Sequence, residues 1–215
     1  VSADDAEGVL LHHRTLDFEA FDQGEEILVV GRLRDGRPWA AAEGAGPIEV
    51  HDMELRVRVQ LADLTIVGCE AVMHTFPHAE CPAIAPAFAE LAGLRVGRGF
   101  TRAVQDLVAG PNGCTHLDQL ARAVGPVVVQ AVTSRRARLL HQGHDGDLLT
   151  GVANAPWARN TCHVWAEGGV AEAKLAAGWR PGRGPYPAPP LDQIVSGSGD
   201  GNAGPERPGA TTPAS

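Results

Sequence analysis

In the stretch NGCTHLDQL, residues 112–120, Cys114 and His116 stand two positions apart at the start of a predicted helix. A second stretch, AECPAIAP at 79–86, opens another predicted helix with Cys81 at the N-cap and Pro82 at the first helical position. Unpaired amide N–H groups at a helix start favour a thiolate, which is both the nucleophilic and the metal-binding form of cysteine. His116 adds a neutral nitrogen ligand or a proton carrier. His51, with the same strand parity as Met53 and Val57, is expected on the buried face of a sheet, with Asp52 on the other face unless a bulge intervenes.

These residues suggest a converging centre in which His51, Cys81, Cys114 and His116 bind a transition metal, zinc or iron. Mixed nitrogen and sulfur ligands suit those ions rather than magnesium or calcium. Asp52 would act as acid or base, or hold a ligand in place, and Cys114 and His116 would also take part in catalysis. The expected class is a small-molecule enzyme with lyase, isomerase or hydrolase chemistry. Three alternatives use the same residues: a thiol nucleophile, Cys114 or Cys81, with His116 or His51 as base; an iron–sulfur or metal carrier; and a binding or structural domain whose cysteines are packed. Cysteine is among the most buried residue types, and Cys69, on the apolar parity of its strand, is read as core. His74 and His78 read as solvated loop residues, and Cys162-His163 lacks an anchoring helix. Arg14, Arg95 and Arg102 could meet an acidic substrate or be solvated charges. Trp39, Trp157 and Trp165 could line a pocket or pack in the core.

Two strands before these helices must position the histidine and aspartate. In HDMELRVRVQL the residues Met53, Leu55, Val57, Val59 and Leu61 alternate with Glu54, Arg56, Arg58 and Gln60, the period of a strand with one wet face. LTIVGCEAVM supplies its antiparallel partner. EEILVVGRLRDGRPWAAA reads as two further strands around an Asp35-Gly36 turn. After Pro77 helical spacing takes over. Ile84, Ala87, Phe88 and Leu91 mark a helix ending at Gly93. Val104, Leu107 and Val108 mark a second, capped by Thr101 and ended by Gly110-Pro111. Leu117, Leu120, Ala121, Val124 and Val128 mark a third, with a Thr115–Asp118 capping box and a kink at Gly125-Pro126. A further helix is expected over 170–177. The fold class is therefore α+β, an antiparallel sheet against three helices, in one domain over 9–179. Residues 1–12 read as loose and 180–215, rich in glycine and proline, as largely disordered.

The chain has 215 residues, 44% of them hydrophobic, enough for a sizeable core. Its formal charge of -8, from 26 acidic and 18 basic residues, argues against nucleic acid or anionic lipid as partner. No run is long enough for a membrane span, and VSADDAEG has neither the positive nor the apolar region of a signal peptide, so a cytoplasmic location is expected. Four scattered cysteines do not make a disulfide scaffold. Signatures of the CxxC-pair, HExxH, GxSxG, phosphate-loop and GxGxxG types are missing, and the glycines of GLRVGRG follow no βαβ strand.

The blocks PIEVHDMELRVRV, CPAIAPAFAELAGLRVGRGFTRAV and GCTHLDQL, with the later TCHVWAE, resemble a bacterial family of unknown function, domain of unknown function 2889, over about residues 12–168. His51-Asp52, Cys81 and Cys114-x-His116 are the positions carrying the match. More distantly, the order of antiparallel strands, a cysteine opening one helix and a cysteine–histidine pair opening the last is similar to iron–sulfur scaffold proteins of the NifU type. That likeness implies a NifU/SUF-like arrangement with a converging site. In those scaffolds the first ligand is a cysteine near an aspartate and the last block reads histidine then cysteine. Here the first block offers His51 and Asp52, and the last reads cysteine, threonine, histidine.

Overall fold

The structure is a computed structural model that describes residues 7–46, 48–144, 159–180 and 186–197. The chain divides into two compact units, residues 1–138 and 139–215. In the first, four strands, β1 (His13–Asp22), β2 (Glu26–Arg37), β3 (Ile48–Gln60) and β4 (Ile66–Thr75), form an antiparallel sheet in sequential order. The class is α+β, as expected. The alternation of β3 is realised from Met53 to Val59: Met53, Leu55, Val57 and Val59 are buried on the inner face, and Arg56 and Arg58 are exposed on the outer, while Leu61 falls in the turn beyond the strand and is half-buried.

The N-terminal half differs from expectation in two places. Residues 13–22, to which no element was assigned above, are the edge strand β1, paired along its whole length with β2. Asp35-Gly36 is no turn: β2 runs unbroken through it, with a register shift against β3 at that point. The physical reason lies in the side chain. Asp35 faces inward and is 1% exposed, held there by Arg14 from β1 and His51 from β3, so its carboxylate is satisfied within the sheet instead of in a solvent-facing turn. The actual β1–β2 turn is at Gln23–Glu25, where Gly24 has a φ of 87°, a conformation open to glycine at little cost, and the Asp22 carboxylate accepts its N–H.

Pro38–Ala42 forms the short helix α1 rather than a strand, with Pro38 at its start. Residues Cys81–Leu91, expected as an α-helix, form a 3-10 run with Pro82 and Pro86 inside it. Neither proline has an N–H to donate, and tighter i to i+3 bonding accommodates that gap. Cys81 is the first residue of this run and Glu80 the cap, one position from the reading above. The run ends at Leu91 with Ala92 as its cap, two residues before the expected Gly93, which follows with a φ of 92° and donates its N–H to the Ile66 carbonyl on β4.

Helix α2 (Phe100–Val108) is capped by Gly99 in a left-handed conformation, not by Thr101. Helix α3 (Thr115–His141) is one continuous element through Gly125-Pro126. The whole expected stripe on α3 is buried, packing with Phe88, Leu91, Phe100, Val104 and Val108 against the inner sheet face. Burial of these side chains contributes about 1.5–3 kcal/mol each. In the second unit, α4 (Val170–Ala176) fulfils the expectation of a helix there and contacts α5 (Leu191–Gly197), which lies within the stretch read as largely disordered. Arg159 bonds Glu172 at 2.7 Å in the same unit. Among the described residues no helix is long and apolar enough to cross a membrane.

Candidate functional site

Register places Arg14 on β1, Asp35 on β2 and His51 on β3 as successive cross-strand neighbours, one row across the inner face of the sheet. The Asp35–His51 pair continues the regular register of β2 and β3, and the bulge that leaves Val50 unpaired begins just beyond it. The N-terminus of α3 brings His116 over this row.

Asp35 is the hub. Arg14 Nε donates to Oδ1 and its terminal nitrogen to Oδ2, both at 2.6 Å, while the other terminal nitrogen donates to Gln119 Oε1 at 3.0 Å. His12 Nε2 lies 3.2 Å from Oδ1, and His51 Nδ1 lies 3.1 Å from Oδ2. His116 Nε2 is 3.5 Å from the same oxygen. The His51 and His116 rings overlap, their centroids 3.7 Å apart and planes 32° from parallel. On the far side of His116, Nδ1 is 3.8 Å from Cys114 Sγ, which also lies 3.9 Å from Met53 Sδ.

Electrostatics follows from this packing. Burial works to raise the Asp35 carboxyl, but the Arg14 guanidinium and the hydrogen bond from His51 outweigh it and hold the group below the usual carboxylate range. His116 is shifted the other way from a solvated imidazole: burial, then the nearby His51 and Arg14 charges, lower its pKa despite the opposing pull of Asp35. A neutral His116 beside an anionic Asp35 is therefore the resting state near pH 7. An ionised carboxylate only accepts hydrogen bonds, so it favours the His116 proton on Nε2 and leaves the Nδ1 lone pair toward Cys114.

Among the described residues, one group of three His, Cys, Asp or Glu side chains has its ligand atoms within 4.8 Å of one another: Asp35, His51 and His116. The structure thus puts His51 and His116 in that group, sets Cys114 beside His116 but outside it, and leaves Cys81 and Asp52 out of it as well. Cys81 is partly exposed at the start of the 3-10 run. Asp52 faces outward, as its parity requires, and is buried beneath Arg32, whose Nε donates to Oδ1 at 2.7 Å and whose terminal nitrogen bonds Oδ2. That ion pair holds Asp52 below the ordinary carboxylate range.

The start of α3 also sits one residue earlier than expected. The Cys114 carbonyl accepts from the Asp118 N–H at 2.8 Å, so Cys114 takes the cap position, and Asp118 pairs with Arg122 at 2.9 Å instead of completing a capping box. Arg95 donates to the Asp63 carbonyl and Arg102 pairs with Asp106, while Trp157 lies outside the described residues. Asp35, His12 and Gln119 were absent from the sequence reading of the site. For Asp35 a signal existed: Ile27, Val29 and Leu33 alternate inward, and the next position of that parity is an acid.

No curated protein and no solved structure matches the chain. A family described as "Protein of unknown function (DUF2889)" matches residues 12–130, a span holding every residue of the cluster from His12 to Gln119. The chain belongs to the DUF2889 family.

Proposed function

We propose that the chain is an enzyme acting on a small molecule through a thiol, imidazole and carboxylate arranged in series. Cys114 is the nucleophile, His116 Nδ1 takes the thiol proton, and Asp35 orients the ring and balances the imidazolium that forms. In the attack on a carbonyl, the Sγ–C bond forms and the π pair moves to oxygen. The observation that carries this reading is that the two nitrogens of one ring face different partners, Cys114 Sγ at 3.8 Å and Asp35 Oδ2 at 3.5 Å. Such distances are long for an engaged relay and shorten when substrate closes the site. Timed labelling with iodoacetamide at pH 7, read by peptide mass spectrometry, tests it. Cys114 should react faster than the exposed Cys162, and His116→Gln should remove the advantage. Equal rates at the two cysteines would sink the relay.

A second reading keeps the expected transition metal with an altered ligand set. Asp35, His51 and His116 offer two imidazole nitrogens and a carboxylate oxygen within 4.8 Å of one another, a donor set suited to zinc or iron. A metal held there would act as a Lewis acid toward a carbonyl or water. Opposing this reading, the Arg14 guanidinium bonds both Asp35 oxygens and adds a positive charge beside the ion. Elemental analysis of anaerobically purified protein distinguishes the two. About one zinc or iron per chain, lost in His51→Ala and retained in Cys114→Ala, would favour the metal centre, and a metal-free protein with a fast-labelling Cys114 would favour the relay.

A further inference from the structure

At the other end of the inner sheet face from Asp35, the β1–β2 hairpin and the second half of α3 enclose a half-open cavity of about 560 Å³. Its walls are mostly apolar, with Phe18, Phe21 and Ile27 from the hairpin and Val127 and Ala131 from the helix, and Gln130 and Ser134 of the helix add polar groups. Its floor depends on Gly31. This residue is the cross-strand neighbour of Phe18, and a Cβ there would collide with the ring, so the missing side chain lets Phe18 lie flat on β2 and leaves the space above it open.

At the mouth, Asp22 receives two guanidinium groups, Arg135 through Nε at 3.1 Å and Arg138 through a terminal nitrogen. Two cations against one carboxylate leave a net charge of +1 beside an apolar volume. Arg138 is 55% exposed, and a guanidinium carries five N–H donors of which the bond to Asp22 uses one, so donors remain for a further anion.

We propose that this cavity binds an amphipathic organic anion, a small carboxylic acid whose alkyl or aryl body lies between Phe18 and Ala131 and whose carboxylate meets Arg138. The volume falls in the range of small-molecule sites and suits a body of about ten carbons. The proposal rests on the cavity alone and is independent of the Cys114 relay.

Calorimetric titration of the full chain with decanoate, and separately with uncharged decanol, tests it. Expected are saturable one-to-one binding of decanoate, decanol about tenfold weaker, loss of decanoate binding in Ala131→Trp, and a fall to the decanol level in Arg138→Gln. Arg138 lies at the surface, so this second variant keeps the fold if the tryptophan does not. Cys114→Ser should bind decanoate as the parent does, which separates this site from the relay. Equal affinities for acid and alcohol, a titration that does not saturate, or undiminished binding in Arg138→Gln would overturn the proposal.

Discussion

Arg14 and Asp35 stand directly opposite each other on adjacent strands, and the guanidinium grips the carboxylate through two parallel N–H···O bonds of 2.6 Å. Fork-to-fork pairing fixes the carboxylate plane as well as its place, which a lysine at 14 would not do. The third bond of Arg14, to Gln119, ties β1 to α3 and so fixes how the helix start sits over the row. The cluster is thereby held by the sheet and not by a loop.

Removing Arg14 leaves Asp35 buried with only imidazoles for partners. Arg14→Ala should lower stability by about 3 kcal/mol in urea denaturation, with Arg14→Lys recovering part of the loss. The pH dependence has a defined sign. Because the folded Asp35 pKa lies below its unfolded value, the stabilisation is complete above about pH 4 and is lost as pH falls through the lower folded value. In Arg14→Ala that acid-linked slope should flatten, because the largest group lowering the Asp35 pKa has gone.

His116 gives a second titration. Burial, then the charges of His51 and Arg14, put its folded pKa below the unfolded value near 6.5. The fold therefore disfavours its proton: the stability linked to a neutral His116 is present above about pH 6.5 and is lost as pH falls toward the folded value. A histidine NMR titration should find the His116 midpoint below 6.5, and Asp35→Asn should move it lower still by removing the one charge that raises it. A midpoint above 6.5 in the parent would contradict the packing described.

The inner face of β3 and the stripe on α3 were legible because burial alone decides them, and periodicity records burial. Half of the cluster was legible for the same reason, since His51 has apolar parity and Cys114-x-His116 opens a helix. Arg14 and Asp35 were not. Their inward placement is stabilised by each other across strands, a pairwise term that no single segment displays, and the Asp-Gly dipeptide carries a strong local turn signal that this pairing overrides. β1 was obscured because an edge strand with Leu16 and Phe21 partly exposed gives no clean alternation. The Cys81 helix was right in extent, but its two prolines changed its hydrogen bonding.

Cys69 supplies a contrast to Cys114. On β4, opposite Val57 and packed against the core, its thiol is pushed up to about 12 by burial, with the neighbouring Glu70 charge adding to it. A thiol of that kind is inert at neutral pH. In the native protein Cys69 should stay unlabelled by iodoacetamide at pH 8 over hours and react readily in 6 M guanidinium, a routine unfolding condition. Native labelling of Cys69 at the rate of Cys162 would show that β4 opens locally.

Gly113, immediately before the cysteine, is required by space and not by backbone angles. Its φ of -155° and ψ of -162° are open to any residue, but a Cβ would overlap the Val108 carbonyl, where α2 ends. Both sides of that contact are backbone, closed by the Gly113 N–H donating to the Gly110 carbonyl at 3.2 Å, so relief must come from moving the chain. Cys114 is the next residue, and its sulfur is set between Met53 and His116. Gly113→Ala should therefore cost about 1–3 kcal/mol and also change the Cys114 labelling rate. Gly97→Ala, at a site with nothing within 4 Å of a new Cβ, should stay within about 0.5 kcal/mol of the parent and leave labelling unchanged. Equal effects of the two substitutions would mean that the Val108–Gly113 contact does not position the thiol.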